Sequence, residues 1–241
     1  MIRRLILRLD PRCVERSELA IYAALARALD AELLAQLEED ESLDELAALP
    51  FVTEVCRSSA TSRPLNRDLL RRRSERLMRQ LRAELEEIAR HALLHWELVR
   101  TGRTQRSKPE PDTALLRAAQ PSRRAAPELQ SRPVKPHMAV IHGGDEASER
   151  ALRYALRISE REQIPLLLLA LPDSPWHRAH SLPEGVSVRT DLAGYDPDTL
   201  RPMLRAWNVV LMLIPAGTLA RPSDEEELPR QLPGVALLLT P

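Results

Sequence analysis

The chain has 241 residues, room for one large or two small domains at roughly 100–200 residues each. Its 35 basic residues balance its 35 acidic ones, which argues against a general nucleic-acid binder, and 44% hydrophobic residues exclude a disordered polymer. Two cysteines exclude a disulfide scaffold and suit a reducing cytoplasm, and no apolar run approaches the roughly 18 residues of a membrane span. Lys108 and Lys135 are the only lysines, an arginine bias read first as a coding bias and second as a phosphate preference.

Residues 3–9 cluster Leu5, Ile6, Leu7 and Leu9 and end at Asp10-Pro11, a strand followed by a turn. From Val14 to Leu29 the period becomes helical, with Ser17, Ala20, Ile21, Ala24, Leu25 and Ala28 on one expected face. Residues 31–37 read as a second strand. This strand–helix–strand unit implies parallel strands joined by a right-handed crossover. A mixed insertion over 43–63 holds a short helix, Leu43 to Leu49, stopped by Pro50. A long helix from Asn66 to Ala92 follows, and Leu94 to Arg100 is a third strand.

Residues 103–136, rich in Arg, Pro, Ser and Gln, read as a linker with one helical patch at Thr113–Ala119. The boundaries expected are 1–102 for an N-terminal domain and 137–241 for a C-terminal one. In the second, 137–141 is a strand, Gly143-Gly144 a turn, 146–161 a helix and 164–171 a strand, before a loop holding Pro172, Pro175 and Pro183. A short strand at 186–189, a helix at 197–206, a buried strand at 208–214, an acidic helix at 224–231 and a strand at 235–239 complete it. Such continuous apolar runs suit a parallel sheet covered on both faces. An internal match aligns Ser17 to Leu25 on Ser148 to Leu156, pairing Ala20 with Ala151 and Ile21 with Leu152.

The run Ile141-His142-Gly143-Gly144-Asp145-Glu146-Ala147-Ser148-Glu149-Arg150-Ala151-Leu152 resembles the opening motif of the universal stress protein family. The strand ending at Asp10, and a first half that carries the long helix and then a strand with Trp96, are similar to its long tandem members. The resemblance implies an α/β fold of two Rossmann-like parallel-sheet domains, the first abbreviated to about three strands. In the family's strand order, 3-2-1-4-5, losing strands four and five leaves strand one at an edge. The second domain, the linker or a second copy of the chain is expected to cover it.

ATP-binding members of that family use an Asp ending the first strand and a glycine-rich loop after the fourth. Glycines let backbone N–H groups approach phosphates, and a helix N-terminus adds its dipole. By that pattern Asp10, Gly143, Gly144 and Gly217 are the candidate cofactor-binding residues, with ATP or AMP as the nucleotide. The loop here, from Pro215 to Ser223, has one glycine, and the helix after it begins Asp224-Glu225-Glu226-Glu227, which would repel a triphosphate. His142 or Gly143 stands where the second half would have its Asp. The structural alternatives are a helix cap for Asp10 and a tight turn for Gly143-Gly144.

Cys13 near a helix start could be redox-active; an inert thiol is the alternative, and nothing pairs it with Cys56. His91 and His95 are spaced to ligate a metal from one helix face, or merely to suit a helix C-terminus. His177 and His180 read as solvated. The stripe Arg71, Arg72, Arg73, Arg76, Arg79 and Arg82 could meet phosphate or an acidic partner, or be an ion-paired surface among interleaved glutamates. No sequence motif joins a nucleophile to a base. The expectation is a non-enzymatic stress or regulatory protein without a cofactor or metal, cytoplasmic, homo-oligomeric (a dimer among the possibilities), acting on an unidentified protein partner without nucleic acid or membrane. The alternative is an adenine-nucleotide sensor binding at a noncanonical site.

Overall fold

A computed structural model describes residues 1–10, 16–39, 41–56, 59–102, 110–118, 135–170, 185–218 and 224–241. The first half contributes β1 (Arg4–Leu9), α1 (Arg16–Leu29), β2 (Glu32–Glu39), α2 (Glu41–Leu46), β3 (Thr53–Val55), β4 (Ser62–Pro64), α3 (Arg67–Ala92) and β5 (Trp96–Gly102). Then come β6 (Thr113–Arg117), β7 (His137–His142), α4 (Glu146–Glu162), β8 (Leu166–Ala170) and β9 (Val186–Arg189). The chain closes with α5 (Pro197–Ala206), β10 (Val209–Pro215), α6 (Asp224–Gln231) and β11 (Ala236–Thr240).

Nine strands form one sheet in the order β5-β2-β1-β6-β11-β10-β7-β8-β9. Every neighbouring pair is parallel except β6 with β11, which run antiparallel with Leu116 opposite Leu238. The fold is therefore α/β on a mostly parallel sheet, as the sequence implies. Two parallel half-sheets meet at one antiparallel seam, so their carboxyl ends point to opposite edges of the sheet.

The helical patch expected at Thr113–Ala119 is instead β6. Ala114, Leu115 and Leu116 are all buried, and β6 pairs with β1 from Arg4 opposite Thr113 to Arg8 opposite Arg117. A short apolar run fits either period, and burial between two strands selects the extended form. The first half consequently has four sheet strands rather than three. Its fourth, lying within the expected linker, covers the edge of β1 where Leu5, Leu7 and Leu9 are fully buried. Beside β6, the place of a fifth strand is taken by β11 of the second half.

The internal repeat is real in architecture but two residues out of register in the sequence match. Leu5 pairs with Leu33 as Met138 pairs with Leu166, so Leu5 corresponds to Met138. By the same offset Leu19 matches Leu152, Tyr22 matches Ala155 and Leu25 matches Ile158, all buried. Ile21, expected on the buried face of α1, is 48% exposed, and Ala20 is exposed too. The helices also end alike: Asp30 and Gln163 follow them in the left-handed conformation, with φ of 53° and 55°.

Helices α1, α3 and α4 pack on one face of the sheet through Leu19, Leu25, Leu81, Leu85, Leu152 and Ile158. Leu200, Leu204, Leu228 and Leu232 of the α5 and α6 region pack on the other face of the second half, against Ile141, Leu169, Met212 and Leu237. Asn66 caps α3 by accepting from the N–H groups of Asp68 and Leu69. The insertion contains a hairpin, β3 and β4, which Glu54 ties to α3 by accepting from Arg63 and from Arg73. The loop around Pro172, Pro175 and Pro183 lies outside the described residues.

Candidate functional site

In an open α/β sheet, ligands bind beyond the carboxyl ends of the strands where the strand order reverses. In the second half that point lies between β7 and β10, neighbours in the sheet and separated in sequence. The segment His142 to Ser148 follows β7, and Pro215 to Thr218 follows β10. Gly143, Gly144 and Gly217 are thus brought to one sheet edge. Asp10 follows β1 in the half-sheet that runs the other way, so it lies at the opposite edge. The four sequence candidates do not form one site. The helix that Asp10 was expected to cap begins after residues outside the description.

The turn after β7 is held by its own side chains. Gly144 has φ of 88°, the backbone freedom a tight strand-to-helix turn requires. The Gly143 N–H donates to Ser148 Oγ at 2.8 Å. A side chain at Gly143 would meet that same oxygen at 3.4 Å. Asp145 caps α4 by accepting from the Ser148 N–H at 2.8 Å. The hydrogen bond from the Ser148 hydroxyl, and then that from its backbone N–H, hold the Asp145 carboxyl below the usual carboxylate range. The positive end of α4 therefore already carries a carboxylate, and the Gly143 amide is already engaged. An entering phosphate would have to displace both and meet a like charge.

Sequence reasoning missed the support behind this turn. His142 is fully buried, and its Nε2 lies 3.3 Å from Glu149 Oε1 in the first turn of α4. The Tyr195 hydroxyl donates to the His142 carbonyl at 2.9 Å, tying the segment before α5 to the end of β7. The Glu149 contact follows from a helix start beside a strand end. The Tyr195 contact spans 53 positions and left no local signal.

Gly217 differs from Gly143. Its φ is 83°, and no atom lies within 4 Å of where a side chain would begin. It borders a cavity of about 400 Å³ at the seam between the half-sheets, where β11 ends and β6 begins. Residues 219–223, and the side chains of Asp224 to Glu226, are outside the description, so the rest of the expected phosphate loop is not placed.

The other candidates resolve individually. His91 Nδ1 sits 2.7 Å from the Glu87 carbonyl within α3. The helix stops at Ala92, and Leu93 turns left-handed with φ of 51°. His95 therefore lies beyond the helix and shares no helix face with His91, which corrects the expected spacing. Of the arginine stripe, Arg71 pairs with Glu75 and Arg73 with Glu54. Arg72, Arg76, Arg79 and Arg82 have no ion-pair partner among the described residues. Cys56 carries an exposed thiol, while Cys13, His177 and His180 lie outside the description. No helix of the described residues is long and apolar enough to cross a membrane.

No family model and no curated protein sequence matches the chain. Solved structures do. A universal stress protein from Archaeoglobus fulgidus superposes with a TM-score of 0.52 at 10% identity, covering 98% of this chain and 95% of that one. A Pseudomonas aeruginosa structure described as a putative universal stress protein gives 0.47 at 11% identity, with 99% and 93% coverage. Only the first carries weight, and at such identity it speaks to architecture alone. The strand order, the parallel half-sheets and this end-to-end superposition together give the chain the fold of the universal stress proteins.

Proposed function

We propose that the chain is a non-enzymatic regulatory or adaptor protein of the universal stress type that acts through protein–protein contacts. One observation carries this reading: the turn after β7, which holds two of the expected nucleotide-binding glycines, is closed by Ser148 and Asp145 of the chain itself. The separation of Asp10 from the glycines supports it. So does the insertion, which exposes Phe51 (77%) and Val55 (61%), apolar surface suited to a protein partner. A cytoplasmic location and a homo-oligomer, a dimer in the simplest case, belong to the same proposal.

The second reading is a sensor of ATP or AMP at a noncanonical site. The open left-handed turn at Gly217 favours it, since that glycine faces free space where Gly143 faces the Ser148 hydroxyl. Protein purified gently from its own cells, then denatured and analysed by chromatography for released adenine nucleotide, separates the two. The adaptor reading expects none. Near-equimolar nucleotide would establish the sensor instead.

A further inference from the structure

The seam cavity is lined from both halves of the chain and does not depend on the turn after β7. Leu115 of β6 and Leu239 of β11 face it from opposite strands, and Pro111, Pro215 and Ala216 extend its apolar wall. Its volume of about 400 Å³ falls within the range of small-molecule sites, roughly 300–1,000 Å³. Apolar walls with a few polar groups are the usual composition of such sites.

Two opposite charges border this cavity. Arg150, one turn into α4, donates from Nε to the backbone oxygen of Pro241 at 3.3 Å and from Nη1 to Glu146 at 2.8 Å. Its Nη2 has no partner among the described residues, so the guanidinium keeps donors to offer. Glu110, on the segment entering β6, lines the same cavity and has no ion-pair partner among the described residues. Thr240 lines it as well. It is 2% exposed, and its Oγ1 is buried with no hydrogen-bond partner among the described residues. A buried hydroxyl left in that state is costly, and a ligand polar atom can relieve it.

We infer that this cavity binds a small zwitterion with an apolar body, of the class of aliphatic α-amino acids. The ligand carboxylate faces Arg150, its ammonium faces Glu110, and its side chain lies among Leu115, Leu239 and the prolines. A simple anion would leave Glu110 opposing it, and a simple amine would leave the Nη2 donor of Arg150 without an acceptor. The zwitterion answers both charges at once. The seam exists only because β6 joins the second half-sheet, so the site is a product of the joined halves.

Leucine, 4-methylpentanoate (the same body without the amine) and isoamylamine (without the carboxylate) are the probes, titrated calorimetrically into the full chain. The inference expects saturable binding of leucine and binding weaker by about tenfold or more for each analogue. Glu110→Gln should bring leucine and 4-methylpentanoate towards equal affinity. Thr240→Val should weaken leucine binding without lowering the melting temperature of the unliganded chain, since it removes an unpartnered hydroxyl at nearly constant shape. Arg150→Gln should abolish binding; because Arg150 also holds Pro241, Glu110→Gln decides if that variant does not fold. No saturation with leucine up to about 10 mM, analogues equal to leucine, or a Glu110→Gln variant with unchanged selectivity would each overturn it.

Discussion

Arg161, in the last turn of α4, donates to Asp30 at the close of α1 with a distance of 2.8 Å, joining the two halves above the sheet. Arg157 reaches the same carboxylate, and Arg161 also donates to the Arg27 and Ala28 carbonyls at the end of α1. Arg27 returns a bond to Glu162 at 3.2 Å. Asp30 and Gln163 end equivalent helices in the same conformation, yet only Asp30 gathers guanidinium groups. Gln163 turns back to donate to the Glu160 carbonyl.

The bond from Arg161, with the charges of Arg157 and Arg161, holds the Asp30 carboxyl below its ordinary range. A carboxyl depressed in the folded state stabilises the fold above its unfolded pKa, about 4, and loses that contribution as pH falls through the folded value. Asp30→Asn should therefore lower the melting temperature at pH 7. The gap from the parent should close progressively below about pH 4. Melting curves across that range check it, and a gap independent of pH would contradict the assignment.

Leu116→Ala tests the seam. Leu116 is fully buried between β1 and β11, opposite Leu7 and Leu238. Its truncation should cost about 2–5 kcal/mol in denaturant unfolding, the range of a core leucine. A cost typical of a linker, below about 0.5 kcal/mol, would mean that β6 is not a core strand.

How far the sequence reveals this architecture depends on the length of each signal. The long helix α3 was legible from its apolar spacing and from Asn66, and β10 from its unbroken apolar run. The strand β6 was not, because Ala114-Leu115-Leu116 is too short to fix a period and sits among arginines and prolines. Its identity comes from two long-range pairings. The repeat was found in the right place but in the wrong register, because Ser17-Glu18 and Ser148-Glu149 are identical pairs that occupy different helical positions. Of the candidate site, Gly144 was legible as a positive-φ turn. The hydroxyl that occupies the Gly143 amide and the seam cavity were not, since Arg150 meets Pro241 across 91 positions.

Asp145→Ala removes the cap of α4 and should cost about 0.5–2 kcal/mol at neutral pH. Because the carboxyl is held low in the folded chain, that loss is present above the unfolded pKa and fades as pH falls through the folded value. Denaturant titrations at pH 7 and at about pH 3 check both the size and the direction.

Glu54 is held low first by the bond from Arg63, and it joins the hairpin to α3 through Arg73. Glu54→Gln should speed amide hydrogen exchange over residues 53–64 and leave the exchange of β7 and β10 unchanged, because exposed ion pairs order a local segment more than they stabilise the whole. Slowed or unchanged exchange in the hairpin would show that the pairing contributes nothing there.

The most direct test of the functional account is an equilibrium titration of the purified full chain with ATP and with AMP. With the Gly143 amide held by Ser148 and the start of α4 occupied by Asp145, the account predicts no saturable binding of either nucleotide. Saturable binding that is lost on Gly217→Val or on Asp10→Ala would contradict it and make the chain a nucleotide sensor.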